Sequence, residues 1–237
     1  MCSHYQTLKD ADLLLEKFGV RDKSVSLGIY DVWPKLQGLF VRRPTEHDAG
    51  DDAVPEREAA VGRWGMIPPG TKPEKLAEAN TKKTFNARSE TAHQLWTFRN
   101  AWAEGQHCII PADAIFEPDW RAVDEGLGKK SVATRFTRAD GQPMGIAGLW
   151  DRYRDAAGQW QDSYTMLTIN ADDHPLFKHY HQSGKEKRMV VILPEGAYGD
   201  WLTAPAEATR DFLAPFPAEK LVATPAGPGK SESDPDL

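Results

Sequence analysis

The chain has 237 residues, 40% of them hydrophobic and 27% charged, with a formal charge of −6; these are proportions of a soluble globular protein long enough to bury a core. No apolar run approaches the ~18 residues of a membrane span and no basic-then-apolar leader opens the chain, so a cytoplasmic protein without a membrane partner is expected. Only Cys2 and Cys108 are present, which argues against a disulfide scaffold or a multi-cysteine zinc site; no metal or other cofactor is expected.

In chain order, Ala11, Leu14, Leu15 and Phe18 fall at helical spacing over 10–18, with Gly19 placed to cap the C-terminus. A strand is expected over 36–42. Residues 44–58 hold six acids against Arg57 alone and read as a solvated loop. Residues 59–67 form a second strand-like run, ending at Pro68-Pro69-Gly70. Ser89 is a plausible N-cap for a helix over 89–104, whose apolar stripe is Leu95, Phe98 and Trp102. Strands then dominate, over 107–110, 131–137, 144–150, 164–169 and 189–193. Asp140-Gly141 and the 156–158 region are hairpin turns between them. Two short helices near 195–202 and 205–213 precede a last strand at 220–223. Residues 224–237, rich in Pro, Gly, Ser and acid, read as a disordered tail. The expectation is one α+β domain over 1–223, built of mostly antiparallel strands.

The overall acidic charge weighs against nucleic acid, whose binding is dominated by phosphate neutralisation. Most of that charge sits in 44–58 and the tail, however, and the remainder is close to neutral, which leaves room for a local basic groove.

Cys2 stands in the opening Met1-Cys2-Ser3-His4-Tyr5. Removal of Met1 would leave a free α-amine and a thiol on adjacent carbons. Amines attack aldehydes to give imines, and such a thiol closes onto the imine as a five-membered thiazolidine. Ordinary pKa values near ~8 for the amine and ~8.5 for the thiol leave a usable nucleophilic fraction at neutral pH.

Three further stretches carry chemistry. Asn86-Ala87-Arg88-Ser89-Glu90 sits at the mouth of the expected 89–104 helix, where an amide and a guanidinium suit an anion or phosphate; a capped surface helix with an incidental Arg fits equally. Glu117 follows an apolar strand-like segment from Cys108. If buried, it could exchange protons near neutrality; the plainer alternative is an edge-strand carboxylate facing water. Cys108 itself reads as a core residue. His179 or His181 could shuttle protons, and Lys178, Lys185, Lys187 and Arg188 around them make the densest basic stretch; a solvated loop entering a strand is the alternative.

These residues together resemble the SOS response-associated peptidase family. The resemblance runs from Met1-Cys2 through Arg63-Trp64-Gly65-Met66-Ile67-Pro68, Asn86 to Thr91, Cys108 to Glu117 and Ala147-Gly148-Leu149-Trp150 to Lys187-Arg188-Met189-Val190-Val191-Ile192-Leu193. It implies a single domain of intertwined sheets with an open barrel-like core and flanking helices. It also implies binding of single-stranded DNA and capture of abasic sites as a covalent thiazolidine through the N-terminal cysteine. By that resemblance Cys2 is the nucleophile, Asn86 orients it, Glu117 is the general acid/base and the family histidine falls on His181. Arg88 and Arg188 would hold backbone phosphate. The peptidase name fits autocleavage of Met1, although a host aminopeptidase could also remove it.

The chain departs from the family pattern in several places. Ser3-His4 stands where Gly-Arg is common, which makes His4 a pH-dependent phosphate contact. Pro118 replaces the usual aromatic after the Glu, and Trp120 is a candidate substitute. His181 precedes Arg188 by seven residues where the family has a tighter His-x-Arg. Trp64 is the candidate for base stacking, with core packing as its rival. A monomer is expected. Two other functions fit the same features: a cysteine protease acting in trans, and a non-catalytic single-strand binder.

Overall fold

The computed structural model describes residues 2–22, 25–46 and 53–226. The strands among them are β1 (Tyr5–Gln6), β2 (Asp31–Val32), β3 (Gln37–Arg42), β4 (Glu58–Trp64), β5 (Asn86–Arg88), β6 (His107–Ala112), β7 (Ala114–Asp119), β8 (Val132–Arg138), β9 (Met144–Arg154), β10 (Trp160–Asn170), β11 (Arg188–Val190), β12 (Ile192–Leu193) and β13 (Leu221–Pro225). Short helices flank them: α1 (Asp12–Phe18), α2 (Leu76–Ala79), α3 (Arg99–Ala103), α4 (Arg121–Asp124) and α5 (Tyr198–Thr203). The architecture is the expected single α+β domain. No helix among the described residues is long and apolar enough to cross a membrane.

Five strands close into a barrel in the order β10-β4-β3-β6-β9 and back to β10. Closure depends on β10. Its residues 163–169 are buried throughout, as in a strand covered on both faces. Ser163 and Tyr164 pair in parallel with β4, and on the same edge Met166–Thr168 pair in parallel with β5. On the other edge β9 gives way to β11 at Thr168. The barrel-like core, which the family resemblance implied to be open, is instead a closed ring, because β10 pairs with both β4 and β9, and its edges split to take up β5, β11 and β12.

A second sheet, wholly antiparallel, has the order β13-β8-β7-β1-β2. Only Asp113 separates β6 in the barrel from β7 in this sheet, so Glu117 leaves the barrel wall just after an apolar run. Tyr5 of β1 and Tyr164 of β10 share a hydrogen bond of 2.6 Å between their hydroxyls. Both hydroxyls pass over Gly38, where a Cβ would lie 2.1 Å and 2.4 Å from them. A glycine is required there by the close approach.

Several elements differ from expectation for identifiable reasons. The 10–18 helix is present and ends at Gly19 with φ 69°, the left-handed cap that glycine favours. The 89–104 helix is reduced to Arg99–Ala103. Asn86–Arg88 is a strand, and the Ser89 N–H continues it by donating to the Thr168 carbonyl. The edge of β10 therefore overrides the local capping signal, and the anion site at a helix mouth falls with the helix. Leu95 of the supposed stripe is exposed, while Phe98 and Trp102 are buried. The turn at 156–158 does close the β9–β10 hairpin, but Asp140-Gly141 joins strands of different sheets. Thr224 and Pro225 belong to β13. The rest of the supposed tail from 227 onward, and part of the acidic loop, lie outside the described residues.

Candidate functional site

Cys2, Asn86, Glu117 and His181 come together where the second sheet meets the edge of the barrel. β1 lies between β2 and β7, with Tyr5 opposite both Val32 and Ile115, and the Phe116 N–H donates to the His4 carbonyl. This pairing carries the chain start alongside Glu117. Asn86, buried on β5, donates from Nδ2 to the Cys2 carbonyl at 2.6 Å, fixing the backbone that carries the thiol. Its Oδ1 is buried and accepts no hydrogen bond among the described residues.

Cys2 is 1% exposed. Burial, with the charge of Glu117 adding to it, pushes the thiol up to about 12. This corrects the expectation of a usable thiolate fraction at neutral pH, because desolvation disfavours the charged form. In the folded protein the Cys2 thiol donates its proton to the His4 carbonyl at 3.3 Å.

β7 is an interior strand between β1 and β8, and Glu117 on it is buried; the water-facing edge carboxylate is thereby excluded. Its Oε2 lies 2.8 Å from His181 Nε2. His181 adopts a left-handed backbone, φ 67°, uncommon for a non-glycine residue. Its N–H bonds the Pro118 carbonyl, and its own carbonyl accepts from Lys187 Nζ at 2.8 Å. These two bonds turn the ring towards Glu117. His179 is exposed in the 177–179 turn. Of the two histidines, it is His181 that meets Glu117.

The four residues singled out for DNA are placed differently. Arg88, at the end of β5, is about half exposed and pairs with Glu186. Arg188 is 4% exposed. Its Nη1 and Nη2 donate to Glu90 at 2.8 Å each, to Glu186 at 2.8 Å and to the Thr168 carbonyl at 2.7 Å. That guanidinium holds β11, β10 and the 90 turn together in the free protein.

Trp64 is fully buried, edge-on to Tyr5 and Phe85, with its indole N–H donating to the Phe85 carbonyl at 2.9 Å. It is core packing and offers no face to a base. His4 is sandwiched between Trp33 and Phe116 at 4.2 Å and 4.0 Å, with Nε2 2.8 Å from Asp31. Burial pulls its pKa down against the opposing pull of Asp31. A ring held this way does not serve as a phosphate-binding cation. Trp33, by contrast, is half exposed.

Three participants carried no signal strong enough to find them in the sequence. Glu90 and Glu186 hold the two arginines, and Trp33 caps the His4 stack. Glu186 stands out only afterwards, as a lone acid within Lys185-Glu186-Lys187-Arg188. Cys108 packs in the core as expected, its carbonyl accepting from the Trp201 indole.

The sequence profile of the SOS response associated peptidase (SRAP) family matches residues 1–228. YoqW of Bacillus subtilis, named an abasic site processing protein, is 27% identical over 231 residues, covering 94% of this chain and 91% of its own. YoaM of the same organism, named likewise, is 30% identical over 165 residues, 68% of this chain and 65% of its own. A crystal structure of a protein from Bordetella bronchiseptica is 68% identical with a TM-score of 0.85, covering 95% of this chain and 99% of that one. With the profile spanning nearly the whole sequence, the chain belongs to the SOS response associated peptidase family.

Proposed function

We propose that the protein captures abasic sites in single-stranded DNA as a covalent thiazolidine through Cys2, once Met1 has been removed. The observation that carries this reading is the position of Cys2: its carbonyl is fixed by Asn86 and its thiol lies in the field of Glu117, itself paired with His181. The substrate class is supported by the relatives named abasic site processing proteins, one of which aligns along 94% of the chain.

The steps balance without any cofactor. An abasic sugar in its open form presents an aldehyde. The α-amine of Cys2 adds to it, and the Glu117–His181 pair delivers a proton to the departing oxygen, so that water leaves and a protonated imine forms. The thiol then adds across the C=N bond; sulfur bonds to carbon, the thiol proton passes to Glu117, and the ring nitrogen keeps its own. The unfilled Asn86 Oδ1 is the natural acceptor for an N–H of the freed amine. Arg88 faces the strand's phosphates, and the exposed face of Trp33, backed by His4 and Phe116, offers a surface for an unstacked base.

The test is a denaturing gel of protein, shown by mass to lack Met1, incubated with abasic single-stranded DNA and no reductant. A heat-stable adduct is expected from the wild type. The Cys2→Ser protein is expected to give at most a labile one, because its oxygen analogue reopens. Equal heat-stable yields would overturn the thiazolidine mechanism.

A further inference from the structure

The 182–186 segment is exposed, yet the Glu186 carboxylate at its end is held from three sides. Oε2 pairs with Arg88 Nη2, and Oε1 accepts from Arg188 Nη1 at 2.8 Å and from Asn170 Nδ2 at 3.2 Å. The donors come from the ends of three neighbouring strands, β5, β10 and β11. Two guanidinium groups and an amide converging on one pair of oxygens is the donor set that recognises a phosphodiester. The hydrogen bonds from Arg188 and Arg88, joined by Asn170, draw the Glu186 carboxyl down to about 2, so it remains an anion at every physiological pH.

We infer that Glu186 is an internal stand-in for a DNA phosphate, a carboxylate that occupies the Arg88–Asn170 seat in the free protein and must be displaced when a strand binds. The inference rests on the DNA-capture reading and adds a control on it. Arg88 and Glu186 are 49% and 33% exposed in their side chains, and a pair so open to water is held weakly enough for a phosphate to exchange with it. Arg188 stays anchored by Glu90 and Thr168 throughout. The consequence is selectivity by damping. Undamaged single strands compete with Glu186 and leave quickly, whereas an abasic strand needs only to dwell long enough for the covalent bond at Cys2.

The experiment measures binding of an undamaged oligothymidylate over a range of salt. Glu186→Gln is expected to bind about three- to tenfold more tightly at low salt, the scale of one exposed ion pair. Its salt slope is expected to steepen by no more than ~0.7, the value for one additional phosphate contact on a single strand. Glu219→Gln, an exposed acid in the 218–220 turn, makes the same change in net charge and is expected to leave affinity unchanged. Adding Arg88→Ala to Glu186→Gln is expected to abolish the gain. The inference is overturned if Glu186→Gln binds no better than wild type, if Glu219→Gln gains equally, or if the gain survives loss of Arg88. A wild-type protein that forms no adduct with abasic DNA would instead remove the capture reading, a result read on a different assay.

Discussion

Replacing Glu117 by Gln keeps the shape of the side chain and one hydrogen-bonding oxygen but removes the capacity to take up or release a proton at neutral pH. The size of the effect follows from the state of the thiol. With burial holding the Cys2 thiol far above neutral pH, almost none of it is thiolate at pH 7.5. In the proposed mechanism ring closure would therefore depend on a base that removes the proton as sulfur bonds to carbon. A positioned base contributes ~10²–10⁴-fold, and a deficit of that order is expected for Glu117→Gln near neutral pH. Loss of the Glu117 charge also relieves part of the upward push on the thiol, but burial, the larger cause, remains. The variant is therefore expected to recover as pH rises from 7 to 10, its rate climbing nearly tenfold per unit because it now relies on free thiolate. Wild type is expected to rise less steeply. The assay is a single-turnover time course of adduct formation on abasic single-stranded DNA, with binding of undamaged strands measured alongside and expected to stay near wild type. His181→Ala is expected to show a smaller deficit, and the exposed His179→Ala almost none. A Glu117→Gln protein with the wild-type rate and the same pH slope would refute the assignment and leave Glu117 a structural carboxylate.

Two further outcomes concern stability. Asp151 is buried on β9 and burial, with Glu104 and Asp162 adding to it, pushes its carboxyl up to about 6, while one oxygen has no hydrogen-bond partner. Because the folded value lies above the unfolded one, the charged carboxylate weakens the fold above pH 6, and the penalty fades as pH falls towards 4. Asp151→Asn is expected to stabilise by about 1–3 kcal/mol at pH 8 and by little at pH 4, as read from denaturant melts at the two values; an equal gain at both would contradict this. Arg188→Gln strips the guanidinium from Glu90, Glu186 and the Thr168 carbonyl. A loss of about 2–4 kcal/mol is expected, given that the two acids can rehydrate, and a fall in melting temperature of about 5–15 °C. An unchanged melting temperature with weakened DNA binding would return Arg188 to the role of a direct phosphate contact.

What could be read in the sequence divides by range. The strand runs 36–42, 107–110 and 144–150 are patterned locally by apolar residues, and the structure has strands at all three. The positions of Cys2, Asn86, Glu117 and His181 were identifiable one at a time, but their meeting depends on β1 entering between β2 and β7 and on β5 attaching to β10, pairings with no local signature. Asn86 is instructive. Ser89 has the chemistry of a cap, yet its N–H is spent on Thr168, so a motif read as a helix start is a strand end. The surroundings of Arg188, Trp64 and His4 escaped the sequence reading for one reason. A charged or aromatic side chain looks available until its partners are known, and those partners lie 98 residues away for Glu90, 21 for Phe85 and 27 for Asp31.

The placement of β1 also sets an order of events at the ribosome. Cys2 is buried only when residues 86 and 115–117 have been made, because the Asn86 amide and β7 supply its enclosure. At ~5–20 residues per second, roughly 6–23 s pass between synthesis of residue 2 and residue 117. For that interval the start of the nascent chain has neither its neighbours nor its shield. A ribosome-associated aminopeptidase has its opportunity then and loses it afterwards, whereas self-cleavage can begin only after the enclosure is complete. Under the proposed function, the two routes to a free cysteine would thus be separated in time by the completion of a single short strand.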